Sequence, residues 1–242
     1  MNISLNSKKV LVTGGTSALG FAFVKKAQQL GAQIFFTYHA DEARANELRQ
    51  LGAKGFCVDL SKSSDILALK TNLRSEIDFL DGLIHNAAIT QDRTIQNLTE
   101  PEWDRVLNVN LKSVYLLTKE MLGFLFKSDQ AKILTIISQV GLHGSFGQPN
   151  YSAAKGGLIA LTKSLARELG SRKILVNALN PGFMKSKMTA QLSPDIIERN
   201  LTKSVIHEIS DSEEVADFMV YLMSERVKRV SGQIFHYESR VV

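Results

Sequence analysis

The sequence predicts an α/β fold of the Rossmann type: a doubly wound parallel sheet of seven strands with helices on both faces. Short β-branched runs alternate with longer stretches of helical periodicity along the 242 residues, a pattern typical of parallel sheets covered by helices. A glycine-rich turn joins the first strand to the first helix. Because no linker rich in Pro, Gly or Ser interrupts the alternation, residues 1–242 are expected to form one domain.

The expected strands are short apolar runs bounded by turn residues, at 10–13, 33–37, 55–58, 82–85, 132–138, 174–180 and 233–237. Apolar residues at helical spacing predict helices at 19–30, 41–51, 63–79, 100–126, 151–169 and 212–223. The connection at 183–209 is longer than a usual strand-to-helix loop, so it is expected to form a lid over the substrate.

Composition excludes several functional classes. Cys57 is the single cysteine, so neither a disulfide framework nor a cysteine-rich zinc site is expected, and a cytoplasmic location is the default. The sequence has no signal-peptide core and no apolar run long enough to span a membrane. The net charge is only +5 and the basic residues are scattered, which argues against nucleic-acid binding. The five histidines are dispersed, so no metal site is expected.

The turn from Thr13 to Gly20 (TGGTSALG) is a candidate dinucleotide site. Glycines let the backbone approach a pyrophosphate closely, and the following helix directs free N–H groups and the positive end of its dipole at the phosphates. The spacing differs from GxGxxG, so a purely structural turn is the alternative.

The end of the second strand lacks the acidic residue that favours NAD over NADP. Thr37 offers a hydrogen bond and His39 a partial positive charge, so the site is expected to tolerate a 2′-phosphate. The alternative for His39 is an exposed loop residue. Asp59, after the third strand, either lies near the adenine amino group or caps a helix.

Ser138 ends the fifth strand, and thirteen residues later Tyr151 and Lys155 open a helix at spacing i, i+4. This spacing places the phenol and the ammonium on one helix face. A lysine cation beside a phenol lowers the pKa of the tyrosine from about 10, which suits it to general acid/base catalysis. The alternative is that the two residues form a pair on the helix surface without a catalytic role.

Asn110 interrupts the apolar stripe of the predicted helix at 100–126. A buried amide without partners costs about 1–3 kcal/mol. Asn110 must therefore find either a structural hydrogen bond or an ordered functional water.

These motifs together resemble the short-chain dehydrogenase/reductase family over essentially the whole chain. The matching residues are the glycine turn, Asn86-Ala87-Ala88, Asn110, and Ser138 with Tyr151 and Lys155. Within that family, segments 147–157, 163–168 and 180–183 resemble the 3-oxoacyl-[acyl-carrier-protein] reductases.

The resemblance implies a catalytic role for four of these residues. Tyr151 protonates the substrate carbonyl and Ser138 orients it. Lys155 holds the nicotinamide ribose and lowers the pKa of Tyr151, and Asn110 anchors a water of a proton relay. The implied cofactor is NADPH, with NADH as the alternative, and the implied contacts are Gly14, Thr16, Ser17, Leu19, Gly20, Thr37, His39, Asp59, Leu60, Asn86, Ala87, Tyr151, Lys155, Pro181, Gly182 and Met184.

The resemblance also implies partners. An acidic acyl carrier protein would dock on a basic patch beside the mouth of the site, for which the candidates are Lys127, Arg172, Lys132 and Lys173, with Gln148 contacting the substrate. A homotetramer is expected through helix segments 103–121 and 158–169. The identity of the substrate depends on the residues expected around the pocket, namely Leu142, His143, Phe146, Gln148 and Met188.

The sequence departs from the family pattern at several positions. Ala18 replaces a glycine of the turn, and Ser17 stands where the carrier-protein reductases commonly have arginine, which weakens the expectation of NADPH. His85 replaces an asparagine, and the segment after the last strand lacks the usual glycine pair. The predicted function is NADPH-dependent reduction of a carrier-bound 3-oxoacyl thioester in fatty-acid or polyketide-like biosynthesis. The alternatives are reduction of another carbonyl, such as a coenzyme A thioester, a sugar or a quinone-like ring, and a non-catalytic nucleotide-binding subunit.

Overall fold

The computed structural model describes residues 3–185, 189 and 193–240. Its strands are β1 (Lys9–Val12), β2 (Gln33–Tyr38), β3 (Lys54–Cys57), β4 (Gly82–His85), β5 (Lys132–Ile136), β6 (Leu175–Asn180) and β7 (Ile234–His236). Its α-helices are α1 (Ala18–Gln29), α2 (Glu42–Gln50), α3 (Ser63–Arg74), α4 (Glu100–Leu107), α5 (Ser113–Leu125), α6 (Val140–His143), α7 (Pro149–Leu169), α8 (Pro194–Leu201) and α9 (Ser212–Met223).

The described strands form one seven-stranded parallel sheet in the order β3-β2-β1-β4-β5-β6-β7, which confirms the predicted fold class. The strand order reverses at β1, whose Val12 pairs with Phe36 of β2 on one side and with Ile84 of β4 on the other. In open α/β sheets ligands bind beyond the carboxyl ends of the strands at such a reversal. The topology therefore places a site where the glycine turn follows β1.

The sheet is buried on both faces because successive side chains of a strand point in opposite directions. In β1, Val10 and Val12 pack with α1, α2 and α9, whereas Leu11 packs with α3, α5 and the end of α7. This arrangement explains why the inner strands are mostly apolar rather than alternating, whereas the edge strands β3 and β7 are partly exposed. No helix among the described residues is long and apolar enough to cross a bilayer.

The largest departure from the predicted elements is the helix expected at 100–126. A π-helical turn, Asn108–Lys112, divides it into α4 and α5, and such wide turns occur frequently at functional sites. The prediction also missed α6 and α8, which are four and eight residues long. Elements this short carry too little periodicity to be detected from sequence.

His85, at the end of β4, is buried between the sheet and α5. Its Nε2 is hydrogen-bonded to Thr118 Oγ1 at 2.9 Å, and burial lowers the pKa of His85 to about 3. The family asparagine is thus replaced by an imidazole that stays neutral in the folded protein. Because the unfolded chain protonates this histidine below about pH 6.5, the folded state loses stability as the pH falls from that value towards 3.

We expect this loss to reach about 2 kcal/mol between pH 6.5 and pH 5, at about 1.4 kcal/mol per pH unit. Urea unfolding across that range measures it, and His85→Asn removes the histidine contribution to the slope whatever its effect on absolute stability. Parallel slopes for wild type and variant would contradict the assignment.

Candidate active site

The glycine turn after β1 is packed too tightly for side chains at its three glycines. Gly14 has φ +65°, and a Cβ there would lie 2.9 Å from the Cα of Ala87. A Cβ on Gly15 would lie 2.7 Å from the Cβ of Phe36. The turn is therefore wedged between the ends of β2 and β4, which fixes its backbone at the carboxyl edge of the sheet.

Asn86 holds this turn in shape. Its Nδ2 donates to the carbonyl oxygens of Thr13 (3.0 Å) and Gly14 (2.9 Å) and to Ser17 Oγ (3.0 Å). Ser17 is the N-cap of α1 and accepts from the N–H of Gly20 at 3.1 Å. A Cβ on Gly20 would lie 2.3 Å from the carbonyl oxygen of Gly14. The side chain of Asn86, predicted to contact a cofactor, is thus engaged with the protein itself.

The turn fits a dinucleotide pyrophosphate. Helix α1 begins at Ala18, and the first N–H groups of a helix lack partners within the helix. They and the positive end of the helix dipole attract phosphate groups. Ala18, where the family has glycine, lies in the first turn of α1, and Thr16 and Leu19 lie on either side of the Ser17–Ala18 step. The fit to a pyrophosphate therefore rests on backbone groups rather than on a cation in the turn.

The predicted adenosine contacts are arranged differently from expectation. Thr37 is buried, and its Oγ1 accepts from the N–H of Gly14 at 3.3 Å. His39 is exposed. Asp59 Oδ1 accepts from the Ser61 N–H (3.0 Å) and hydroxyl (2.6 Å), and these bonds lower the pKa of Asp59. Helix α3 is capped at Lys62 without a side-chain bond, so Asp59 is not its cap. Leu60, beside it, is buried.

Ser138, Tyr151 and Lys155 come together where β5 meets α7. The side-chain interaction with Ser138 lowers the pKa of Tyr151, and Ser138 Oγ accepts from the N–H of Val140 at 3.3 Å. The Nζ of Lys155 lies 5.6 Å from the centroid of the Tyr151 ring and donates to the carbonyl of Ile136 at 2.7 Å. Since an ammonium has three donors, this bond leaves capacity for ribose hydroxyls.

Burial dominates the ionisation of this cluster. It raises the pKa of Tyr151 to about 12, with a smaller contribution from the charge of Asp92, while the Ser138 hydrogen bond lowers it. Burial also lowers the pKa of Lys155 to about 8. The pKa of Tyr151 is therefore raised rather than lowered as the sequence suggested, because burial outweighs the effect of neighbouring groups.

Asn110 lies in the π-helical turn and is bonded to the backbone of Ile89, which follows β4. Its Oδ1 accepts from the Ile89 N–H at 2.9 Å and its Nδ2 donates to the Ile89 carbonyl at 2.8 Å. The amide therefore has the structural partners that the sequence left as one of two alternatives. The water relay stays a prediction.

Several residues without a predicted structural role hold the loop after β4 against α7. Asn150 is completely buried and donates to the carbonyl of Gln91 at 3.1 Å. Gln148 donates to Asp92 Oδ2 at 2.9 Å, and the Arg93 N–H donates to the carbonyl of Gly147 at 2.8 Å. Gln148 was predicted to contact substrate, and here it bridges two loops three residues before Tyr151. The sequence feature that could have identified Asn150 is its position directly before Tyr151.

The loop after β6 contains the predicted carboxamide contacts. Gly182 has φ +80°, and a Cβ there would lie 2.7 Å from both Ser210 Oγ and the Tyr237 carbonyl oxygen. Pro181 is buried, and Met184 pairs with Ser210. Glu238, in the segment that lacks the family's usual glycine pair, forms hydrogen bonds with Asn180 and Arg240. The predicted lid at 183–209 includes α8 but is described only in part, so its role stays a prediction. Met188 lies outside the described residues.

The basic candidates for docking do not surround this site within one chain. Lys127 follows α5 and precedes β5, and Arg172 precedes β6, so both lie at the amino edge of the sheet, with exposed Lys173 beside them. The guanidinium of Arg172 covers the Phe126 ring at 5.1 Å. The 21 residues of α7 separate this edge from Tyr151 by about 30 Å. The expectation of a patch beside the mouth of the site is therefore wrong for a single chain.

Lys132 is also not a docking residue. Its side chain is buried, and its Nζ donates to the carbonyl oxygens of Leu222 (3.2 Å), Ser224 and Val227 (2.6 Å) at the end of α9. A cation in this position satisfies carbonyls that the helix end leaves unpaired and opposes the negative end of its dipole. Its role is structural.

Comparison with known proteins is consistent along the chain. The family model described as enoyl-(acyl carrier protein) reductase matches residues 14–239. The 3-oxoacyl-[acyl-carrier-protein] reductase FabG of Aquifex aeolicus (strain VF5) is 36% identical over 242 residues, 98% of either chain. The FabG protein of Escherichia coli (strain K12) is 33% identical over 236 residues, 97% of either chain. A solved structure titled "Pseudomonas aeruginosa RhlG/NADP active-site complex" has a TM-score of 0.91 and 25% identity, and the match covers 99% of this chain and 98% of that one.

Proposed function

Because the chain belongs to the short-chain dehydrogenase/reductase family, we propose that it reduces the 3-oxo group of a carrier-bound acyl thioester with NADPH, in fatty-acid or related biosynthesis. The observation that carries the proposal is the cluster of half-buried Ser138 with buried Tyr151 and Lys155 beside a turn that fits a dinucleotide. The FabG relatives are named for this reaction, and the RhlG structure is titled as an NADP complex.

In the proposed mechanism the protein supplies the proton and the cofactor supplies the hydride. NADPH supplies a hydride for the carbonyl carbon. Tyr151 donates its proton to the carbonyl oxygen, and Ser138 donates a hydrogen bond to the same oxygen. Because burial raises the pKa of Tyr151 to about 12, the phenol is protonated at neutral pH, which is the form that reduction requires.

Lys155 and Asn110 support this proton transfer without contacting the substrate carbonyl. The ammonium of Lys155 holds the nicotinamide ribose and stabilises the phenolate that forms when Tyr151 gives up its proton. Asn110 anchors the backbone of Ile89 at the π-helical turn, and we propose that a water at this turn returns a proton from solvent. Pro181, Gly182 and Met184 line the carboxamide side.

The acyl part of the substrate has an apolar surface available next to Tyr151. Phe146 is 92% exposed and Leu142 40% exposed on the loop between β5 and α7. The loop carries glycines with positive φ at Gly144 and Gly147, and a Cβ on either would have no neighbour within 4 Å. This loop can therefore cover an acyl chain without steric conflict.

The test is a nicotinamide-absorbance assay with three substrates of matched size: an acetoacetyl thioester, a crotonyl thioester and a simple ketone. Consumption of NADPH with the acetoacetyl thioester supports the proposal. Preference for the crotonyl thioester would assign the enoyl reduction that the family description names, and preference for the ketone would assign another carbonyl substrate. Cofactor binding without turnover of any of the three would favour the non-catalytic alternative.

We also propose that the acyl carrier protein docks on one copy of the chain and delivers its substrate to another copy. The supporting observation is that Lys127 and Arg172 lie far from the Tyr151 of their own chain. In a homotetramer formed through 103–121 and 158–169, these two residues would instead lie near the Tyr151 of another copy. A cytoplasmic location agrees with the single exposed Cys57. Molar mass by light scattering tests the tetramer.

Charge reversal at Lys127 and Arg172 tests the docking. Because complementary charge mainly accelerates encounter, Lys127→Glu with Arg172→Glu should raise KM for the carrier-bound substrate roughly tenfold at low salt and leave KM for a neutral N-acetylcysteamine thioester unchanged. Lys25→Glu with Lys54→Glu is the matched control, since both lysines are exposed and belong to α1 and β3, whereas Lys127 and Arg172 precede β5 and β6 in the other half of the sheet. An equal effect of both double variants on KM would rule out a specific docking patch.

A further inference from the structure

We propose that Arg44, in the first turn of α2, recognises the 2′-phosphate of NADPH, so that the preference for this cofactor comes from α2 rather than from the glycine turn. The inference deepens the proposed function, because it concerns the same cofactor. It answers a question that the sequence left open: Ser17 stands where related reductases commonly have arginine, and the chain still needs a cation at this end of the site.

Arg44 reaches from α2 to the glycine turn. Its Nη1 donates to the carbonyl oxygen of Thr16 at 3.0 Å, across 28 positions of sequence. The guanidinium lies over the ring of Phe21, with 4.6 Å between the central carbon and the ring centroid. Its backbone N–H donates to Asp41 Oδ1 at 3.2 Å, which caps α2. The guanidinium is thus held in one place and half-buried.

That place is where a dinucleotide presents its adenosine ribose. The Gly15 N–H donates to the carbonyl of Thr37 at 2.9 Å, so the turn and the end of β2 lie side by side. In this fold the ribose 2′ position lies by the end of the second strand, and a nearby arginine accommodates a 2′-phosphate. Arg44 bonds to the turn residue Thr16 from the adjoining loop and helix, and therefore lies at this position.

The other candidates at this position are poorly suited. Thr37 is buried and engaged with Gly14. Ser17 Oγ accepts from Gly20 and from Asn86, and a hydroxyl carries no charge. His39 is exposed on the loop after β2, and its imidazole lacks the planar fork of donors that an arginine offers. An arginine keeps its charge at every physiological pH and presents five donors in a planar fork that matches phosphate. One of those donors goes to Thr16.

A purely structural role makes a different prediction. If Arg44 only ties α2 to the turn, its loss distorts the pyrophosphate site and weakens NADH and NADPH alike. If it binds the 2′-phosphate, its loss weakens NADPH selectively, because NADH has a hydroxyl there. The ratio of the two dissociation constants separates the roles without any need for turnover.

The experiment measures Kd for NADPH and for NADH by nicotinamide fluorescence in wild type, Arg44→Met and Arg49→Met. Methionine retains apolar contact with Phe21 but removes the charge. We expect Arg44→Met to raise the Kd of NADPH roughly 10- to 100-fold, the range for a charged hydrogen bond, and to leave the Kd of NADH within about twofold. Arg49 is on the same helix but bonds Glu42 and Tyr38, so Arg49→Met should change neither.

Competition with 2′,5′-ADP and 5′-AMP gives a second readout, since these probes differ only in the 2′-phosphate. Arg44→Met should weaken 2′,5′-ADP alone. Equal weakening of both nucleotides, an unchanged ratio of Kd values, or a wild type that binds NADH more tightly than NADPH would each overturn the proposal. A wild type that binds NADPH through Arg44 but leaves 3-oxoacyl thioesters unreduced would overturn the proposed substrate and uphold this inference.

Discussion

Replacing Tyr151 with phenylalanine is expected to lower kcat for thioester reduction roughly 10²- to 10⁴-fold, the usual contribution of a positioned general acid. The substitution removes one oxygen and keeps the ring that lies beneath the Lys155 ammonium. Because the buried ring still fills the same volume, the fold should be preserved. The decrease in kcat should come from the proton-transfer step, because no other hydroxyl of the cluster occupies the position of the Tyr151 hydroxyl.

The measurement is steady-state kcat together with the Kd of NADPH, which should stay within about threefold of wild type because cofactor binding does not depend on the phenol proton. Tyr221→Phe is the matched control, since Tyr221 lies on α9 and is 39% exposed. A Tyr151→Phe enzyme that retains a tenth or more of the wild-type kcat would show that another group donates the proton.

Replacing Lys132 with methionine is expected to lower the free energy of unfolding by about 3 kcal/mol or more, because three carbonyl oxygens lose their donor. Burying an apolar chain in place of an ion is often neutral when every partner is also replaced, but here the carbonyls of Leu222, Ser224 and Val227 remain. For a chain of this length the change corresponds to a fall in Tm of roughly 6–12 °C.

Urea unfolding at constant m-value measures this effect. Lys25→Met is the control, because Lys25 is exposed on α1 and should change stability by less than about 0.5 kcal/mol. A Lys132→Met protein as stable as the control would mean that water or neighbouring groups satisfy these carbonyls. The active site lies at the opposite edge of the sheet, so the Kd of NADPH should be unchanged in folded protein.

Local pattern was sufficient to predict the seven strands, because most of them are short apolar runs, and burial on both faces of a parallel sheet demands that composition. The glycine turn was also recognisable from sequence, because only glycine fits at Gly14 and Gly15, where a Cβ would meet Ala87 or Phe36. The i, i+4 spacing of Tyr151 and Lys155 also survives folding, because it depends on the helix alone. In these cases the determining interactions lie within a few residues or follow from strand period.

Only the tertiary structure decided where the polar side chains make their bonds. Lys132 appeared to be a surface cation and is buried against α9, 90 residues or more along the chain. Asn86 bonds the turn from 69 to 73 positions away, and Arg44 reaches Thr16 from another helix. The physical reason is that a polar group needs only a complementary partner nearby in space, and the packing of distant elements supplies that partner. Hydrophobic periodicity specifies which face of an element is buried, whereas it leaves open which distant groups meet there.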